Sequence, residues 1–262
     1  MPEGDTIHRA ARTLRGALVG APIAQFDAPR LSPPFPVRGT VVSAVEARGK
    51  HLLIDFDDGH VLHTHMGMPG SWHVYPSGGA LRRRDLRVRI DTDEVTAVCF
   101  GAPVVELLDH QAVERHPGLR RLGPDLCVED PDIATAVARM GEIPAPTVTI
   151  GEALLDQRVA AGIGNVYRSE VCFLESIDPR APLSSVPESK RAGLLDRAAR
   201  LLRRNLTTIR RTTVPGGPDG ALFVYGRAGS PCRRCRTPIA STVVGEHARV
   251  TYWCPCCQPS RA

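Results

Sequence analysis

Cys232-Arg233-Arg234-Cys235, eighteen further residues, then Cys254-Pro255-Cys256-Cys257: this stretch decides how the second half of the chain is built. Two Cys-x-x-Cys pairs at that separation fit tetrahedral ligation of one Zn²⁺ by four thiolates, here Cys232, Cys235, Cys254 and Cys257. Cys256 offers a tighter alternative to Cys257, although the two-residue spacing is the commoner chelate. Four thiolates leave no open position for water, so the ion is expected to be structural. Between the pairs, residues 239–244 and 248–253 read as two strands joined at Gly245-Glu246-His247, a zinc-held β-hairpin. Arg249, near its tip, has no core role and could reach a phosphate. Cysteines that bind nothing are the plainer alternative.

Upstream, Leu154-Leu155-Asp156-Gln157 ends a helix, Gly162 and Gly164 turn it, and Asn165-Val166-Tyr167-Arg168-Ser169-Glu170 restarts it with Asn165 as the expected N-cap. The N–H groups at such a restart are a phosphate site, or else simply an ordinary helix–helix corner. Helical periodicity runs from a cap expected at Asp130-Pro131 to about Arg210. The long helix from Pro187 is expected to bury Leu194, Leu195, Ala198, Leu201, Leu202 and Leu206. Arg197, Arg200, Arg203 and Arg204 on its other face are either solvated or set against nucleic acid.

The first half has period two instead. Leu52, Ile54 and Phe56 alternate, Asp58-Gly59 turns, and residues 60–65 return. Leu86, Val88 and Ile90, then Val95, Ala97 and Cys99, repeat the pattern around a turn at residues 91–94. Several short strands with turns between them predict an antiparallel sandwich or barrel. A helix to about Leu18 precedes it, with Asp5 as its expected N-cap and Ile7, Ala11, Leu14 and Leu18 as its apolar stripe. A Pro-rich connection at residues 32–36 follows. The expected division is 1–118, a linker 119–130, a helical domain 131–222 and the finger 223–262.

Composition narrows the function. The chain has 262 residues, 42% of them hydrophobic, and carries a formal charge of +5, a mild basic bias compatible with nucleic acid. No apolar run approaches the ~18 residues of a membrane span, and no signal pattern opens the chain. A cytoplasmic, reducing compartment is expected, in which eight cysteines are not a disulfide framework. Of the 33 basic residues only two are lysines, Lys50 and Lys190, so Arg does nearly every cationic task. A retained Lys50 points to a need for a compact ammonium.

Met1-Pro2-Glu3-Gly4-Asp5 supplies the chemistry. Removal of Met1 would leave Pro2 with a free secondary amine, and an α-amino group titrates near ~7.7–8.0. Such an amine attacks carbon at aldehyde level and forms a Schiff base, with Glu3 placed to move protons. The plainer reading is a helix start with Pro and acids at its positive end.

Those five residues, Arg48-Gly49-Lys50-His51-Leu52-Leu53, Ala161-Gly162-Ile163-Gly164-Asn165-Val166-Tyr167-Arg168-Ser169-Glu170, Val224-Tyr225-Gly226-Arg227 and Arg249-Val250-Thr251-Tyr252-Trp253-Cys254-Pro255 together closely resemble the formamidopyrimidine-DNA glycosylase / endonuclease VIII family. The match runs in order from residue 2 to about 258. The resemblance implies an α+β multidomain protein: an N-terminal antiparallel β-sandwich with an N-terminal helix, and a helical domain with a helix–two-turn–helix motif, flanking a DNA cleft, with a zinc finger. It implies Pro2 as nucleophile, Glu3 as proton shuttle, Lys50 as a catalytic phosphate-holding lysine, Asn165 and Arg249 as phosphate grips and Met68 as the wedge that fills the gap left by an extruded nucleotide. A buried core methionine is the alternative for Met68. The expected partner is double-stranded DNA with damaged bases or abasic sites, met by a monomer, with no membrane involved and with the bacterial nucleoid reached through DNA binding.

Three features point to the endonuclease VIII branch and to oxidised pyrimidines. The start is Pro-Glu-Gly, only residues 212–223 precede Val224-Tyr225-Gly226, and Cys99-Phe100-Gly101-Ala102-Pro103 lacks the Arg-x-Phe pair of the purine branch. Thr6 stands where the family usually has Glu, which leaves lesion range and elimination efficiency open. A purine-preferring glycosylase and a non-catalytic zinc protein that binds damaged DNA are the competing readings. Retention of Pro2, Glu3 and Lys50 argues against the binder, which needs none of them.

Overall fold

The computed structural model describes residues 2–79, 85–144, 148–244 and 249–260. Met1 and the turn expected at Gly245-Glu246-His247 lie outside them. The chain divides into two compact units, Met1–Arg121 and Leu122–Ala262.

Among the described residues of the first unit α1 (Gly4–Leu18) precedes eight strands: β1 (Gln25–Asp27), β2 (Val42–Arg48), β3 (His51–Phe56), β4 (His60–His65), β5 (Ser71–Pro76), β6 (Leu86–Asp91), β7 (Val95–Phe100) and β8 (Val104–Asp109). They form two four-stranded antiparallel sheets, ordered β2-β3-β4-β8 and β1-β6-β7-β5. Alternation puts Leu52, Ile54, Leu62, Val88, Ile90, Ala97 and Cys99 into one core, closed by Ile7, Ala11, Leu14 and Leu18 of α1. Of the sandwich and the barrel, the sandwich is correct. Two short helices, α2 (His110–Arg115) and α3 (Pro117–Arg120), end the unit.

The N-cap of α1 is Glu3, not Asp5. Asp5 lies one residue inside the helix, fully buried, where its Oδ1 accepts from the Thr6 N–H at 2.8 Å. A side chain occupied with its neighbour's N–H within the first turn no longer acts as the cap.

The second unit holds α4 (Ile133–Gly141), α5 (Ile150–Ala153), α6 (Asn165–Leu174), α7 (Glu188–Arg204) and the hairpin β9 (Ala240–Val244) and β10 (Arg249–Trp253). The cap of α4 is Asp132 rather than Asp130: its carboxylate accepts from Thr135 N at 2.8 Å. Leu126 and Cys127 belong to this unit's core, and the Asp125 bridge to Ala161 ties that segment down. Residues 122–127 are therefore packed chain, while 128–130 are exposed. Along α7, Leu194, Leu195, Ala198, Leu201 and Leu202 are buried as expected and Leu206 packs beside them. Its basic face is largely engaged within the unit: Arg197 pairs with Glu175 at 2.8 Å, Arg200 with Asp196, and Arg203 donates to the Glu129 carbonyl. Among the described residues no helix is long and apolar enough to cross a membrane.

Candidate functional site

Each unit carries its own share of the predicted residues. In the first, Pro2 stands directly before Glu3, the N-cap of α1, and the carbonyl of fully buried Glu3 accepts from Thr6 N at 2.9 Å and Ile7 N at 3.2 Å. Because Ile7, Ala11 and Leu14 are locked into the sandwich core, the terminal residues hang on a rigid element rather than a frayed end. Asp5 also pairs with Arg9 at 3.6 Å.

Lys50 occupies the second position of a two-residue turn between Arg48 and His51, which face each other across β2 and β3. Gly49 takes φ 60° there, a backbone value that any larger residue strains to reach. Met68 is 71% exposed, whereas its neighbour Met66 is 2% exposed and in the core. That removes the core reading for Met68. Its turn is tightly specified: Gly70 N donates to the Met66 carbonyl at 2.8 Å, and a Cβ on Gly70 would lie 2.3 Å from that oxygen.

Next to Lys50 lies a cluster the sequence reading missed. His51 Nδ1 is 2.9 Å from His63 Nε2, and His63 Nδ1 is 2.7 Å from Glu106 Oε2, which His116 Nε2 also meets at 3.2 Å. The rings of His51 and His65 stand 4.8 Å apart. The signal was present as alternation. His51, His63, His65 and Glu106 fall on the residues between the core-facing ones of β3, β4 and β8, on the sheet's other face. Burial first, then His65, His63, His116 and Lys50, pushes the His51 pKa from 6.5 down to about 3. Burial lowers His63 as well, against the opposing pull of Glu106, and lowers His65 with help from Lys50. Protonation therefore costs more in the folded chain than in the unfolded one. This contribution to stability is intact above about pH 6.5 and falls away as the pH drops from there towards 3. His51 alone gives a loss on the order of 2 kcal/mol by pH 5. Amide exchange in residues 51–65 is expected to accelerate between pH 7 and pH 5 once corrected for intrinsic rates; unchanged protection would refute it.

In the second unit the N-cap of α6 is Gly164, and Asn165 is the first helical residue. The Asn165 side chain, 4% exposed, turns onto β10 and donates through Nδ2 to the Val250 carbonyl at 2.9 Å. Its Oδ1 is buried without a partner among the described residues. Arg168, 1% exposed, donates to the same carbonyl at 3.0 Å. Asn165 is thus brought beside Arg249, since the carbonyl that Asn165 and Arg168 share belongs to Val250, the residue after Arg249.

Glu170, fully buried on α6, was quoted in the sequence reading without a role. Its Oε1 accepts from Val224 N and Tyr225 N, each at 2.8 Å, and its Oε2 from Phe223 N at 2.8 Å and from the Thr213 hydroxyl. One carboxylate so fixes the start of Val224-Tyr225-Gly226-Arg227 and both ends of the preceding loop. Removing it strands several enclosed donors, each worth about 1–3 kcal/mol when left unpaired. Glu170→Ala is expected to cost the second unit about 3 kcal/mol or more, read as a lowered urea midpoint. A midpoint within error of the unmodified protein would refute the anchor.

The sulfurs of Cys232, Cys235, Cys254 and Cys257 all lie within 4.8 Å of one another, with Cys235–Cys254 at 3.4 Å and Cys232–Cys257 at 4.0 Å. Zn–S bonds of about 2.3 Å in a tetrahedron set sulfurs about 3.8 Å apart, so the group fits the ion. Cys256 is exposed and outside this group. Arg234 N donates to Cys232 Sγ at 3.3 Å and Cys257 N to Cys254 Sγ at 3.4 Å, hydrogen bonds that suit thiolate ligands.

Comparison with known proteins matches three segments in order. Residues 1–103 match the formamidopyrimidine-DNA glycosylase N-terminal domain, 122–214 its H2TH domain, and 229–259 the zinc finger found in FPG and IleRS. The chain is 42% identical over 272 residues to a probable endonuclease 8 2 of Streptomyces coelicolor, covering 100% of this chain and 95% of that protein. It is 39% identical over 261 residues to the DNA-(apurinic or apyrimidinic site) lyase Nei2 of Mycolicibacterium smegmatis, covering 98% and 99%. Among solved structures it resembles a Lactococcus lactis FPG variant in complex with Fapy-dG-containing DNA, at 25% identity and a TM-score of 0.83 over 99% of this chain and 100% of that one.

Proposed function

Because this chain belongs to the formamidopyrimidine-DNA glycosylase / endonuclease VIII family, we propose that it excises oxidised pyrimidines from duplex DNA and cuts the strand it has cleared. It is a DNA glycosylase with AP lyase activity, an enzyme of base excision repair. In the proposed mechanism Pro2, freed of Met1, attacks C1′ of the damaged nucleotide as the base leaves with a proton. The sugar ring then opens, C1′–O4′ breaking as O4′ takes a proton, and the iminium so formed acidifies the C2′ proton. Its removal expels the 3′ phosphate, and a second elimination expels the 5′ phosphate. Glu3 carries the protons, and Lys50 holds a phosphate and supports the excision step. Met68 fills the gap left by the extruded nucleotide. The first-turn N–H groups of α6, held to β10 by Asn165, join Arg249 in gripping phosphate. The protein works as a monomer.

One observation carries the pyrimidine preference. The loop of residues 212–223 is short and closed on itself: Thr213 N donates to the Ala221 carbonyl at 2.9 Å, Thr212 Oγ1 to the same oxygen at 3.0 Å, and Glu170 clamps both ends. Such a loop has little free chain with which to cover a purine. A panel of duplexes, each with one lesion, tests the reading. Oxidised pyrimidines are expected to be cut at least about tenfold faster than 8-oxoguanine, the discrimination that ~1.4 kcal/mol provides. The reverse order overturns it.

One Zn²⁺ held by Cys232, Cys235, Cys254 and Cys257 would shape the hairpin that presents Arg249, leaving the chemistry to Pro2 and Glu3. Cys235→Ser is accordingly expected to leave a soluble protein whose affinity for abasic DNA falls roughly tenfold or more, since metal binding and local folding are one event. Unchanged affinity would remove the finger from the grip.

A further inference from the structure

The histidine cluster admits one consistent placement of protons. His116 Nδ1 accepts from the N–H groups of Gly118 and Leu119 at 3.2 and 3.3 Å, so its proton sits on Nε2 and points at Glu106 Oε2, 3.2 Å away. A carboxylate only accepts, so His63 Nδ1, 2.7 Å from the same oxygen, also carries a proton. His63 Nε2 is then a lone pair. The 2.9 Å contact to His51 Nδ1 requires the proton to be on His51 Nδ1, which leaves His51 Nε2 unprotonated.

Glu106, His63 and His116 lie within 4.8 Å of one another, close enough for a metal. An ion on His116 Nε2 would need a lone pair there, while Nδ1 already offers its own to two backbone donors. A neutral imidazole cannot present both. The cluster is thus a hydrogen-bond chain and not a ligand set.

We propose that Glu106, His63 and His51 form a proton-ordered chain that holds the tight turn carrying Lys50 and keeps an uncharged imidazole beside that lysine, which makes His51 a positioning residue for base excision. The inference rests on the functional reading above, in which Lys50 acts. Geometry favours it: His51 follows Lys50 directly, pairs with His65 across β3 and β4, and is braced by His63, itself 1% exposed. His65 Nδ1 accepts from Gly67 N at 3.2 Å, so the ring tilted against His51 also anchors the turn of Met68. Lys50, His65, His63, His116 and Glu106 are the charged or titratable groups that act on this chain. A second cation beside Lys50 would push its ammonium away from the phosphate it holds.

Histidine-selective ¹⁵N labelling of the full-length protein and long-range ¹H–¹⁵N correlation at pH 7.5 read the tautomers directly. His51 and His63 are expected to be protonated on Nδ1, and His116 on Nε2. Glu106→Gln, at a side chain 40% exposed and so tolerant of change, is expected to mix the His63 and His51 tautomers. Single-turnover excision should then slow roughly tenfold, the scale of one hydrogen bond to a charged group, while borohydride trapping on a preformed abasic site stays within about twofold. His63→Gln, with one donor and one acceptor to bridge Glu106 and His51, should retain most of the rate that His63→Phe loses. A proton on His63 Nε2 in the unmodified protein, or unchanged excision by Glu106→Gln, overturns the proposal even where Lys50→Arg slows excision. No base excision by the unmodified protein overturns the functional reading, and the positioning role with it.

Discussion

With an uncleaved residue ahead of Pro2, the full-length protein is expected to bind abasic DNA and leave it uncut. An acylated proline nitrogen is a tertiary amide with no lone pair to give, so the loss of nicking is expected to be complete rather than graded. The structure adds why no other amine should take its place. Glu3 is fully buried and its carbonyl is committed to Thr6 and Ile7, so the backbone that aims Pro2 is an extension of α1. Lys50, the nearest lysine in sequence, is fixed at the tip of a two-residue turn. Pro2→Gly, by contrast, keeps a terminal amine but makes it primary and loses the ring that orients the nitrogen, so nicking should continue at a reduced rate. Borohydride trapping on an abasic oligonucleotide checks both. A covalent adduct and full nicking by the extended form would end the assignment of Pro2.

What the sequence disclosed follows from how local each signal is. Cys232, Cys235, Cys254 and Cys257 were readable because chelate spacing is a short-range constraint, and the choice of Cys257 over Cys256 agrees with the four sulfurs that cluster. β3, its turn and β4 were readable because period two and a Gly-containing turn occur within fifteen residues. Caps were less so. Asp5, Asp130 and Asn165 are all good capping types, yet the caps are Glu3, Asp132 and Gly164, each set by where tertiary packing starts the helix. The role of Glu170 was not legible, and of the His51–His63–Glu106 chain only the alternation that puts its members on one sheet face was. Their partners lie 12 to 55 residues away, and only the folded register brings them into contact.

Lys50→Arg is expected to bind an uncleavable abasic analogue almost normally and to excise damaged bases about 10²-fold more slowly, the cost of a misplacement of about 1 Å. Composition makes the test sharp, because 31 of the 33 basic residues are already Arg and a mere phosphate contact should tolerate one more. The surroundings explain why this position should not. Gly49 and Lys50 make up the whole of a two-residue turn pinned by the Arg48–His51 pair, so the backbone has no slack to accommodate a longer, planar head group. His51 and His65, both held neutral by burial, lie within electrostatic reach of the ammonium and leave it the local positive charge. A guanidinium would spread that charge over a plane against the same rings and crowd the sugar it is meant to face. AP-lyase activity should fall less, since that substrate arrives with the base already gone and needs only the amine of Pro2 and a route for protons. Single-turnover rates on a base lesion and on a preformed abasic site separate the two steps. Equal excision rates for the unmodified protein and Lys50→Arg would reduce Lys50 to an ordinary phosphate contact, and the retained lysine would need another explanation.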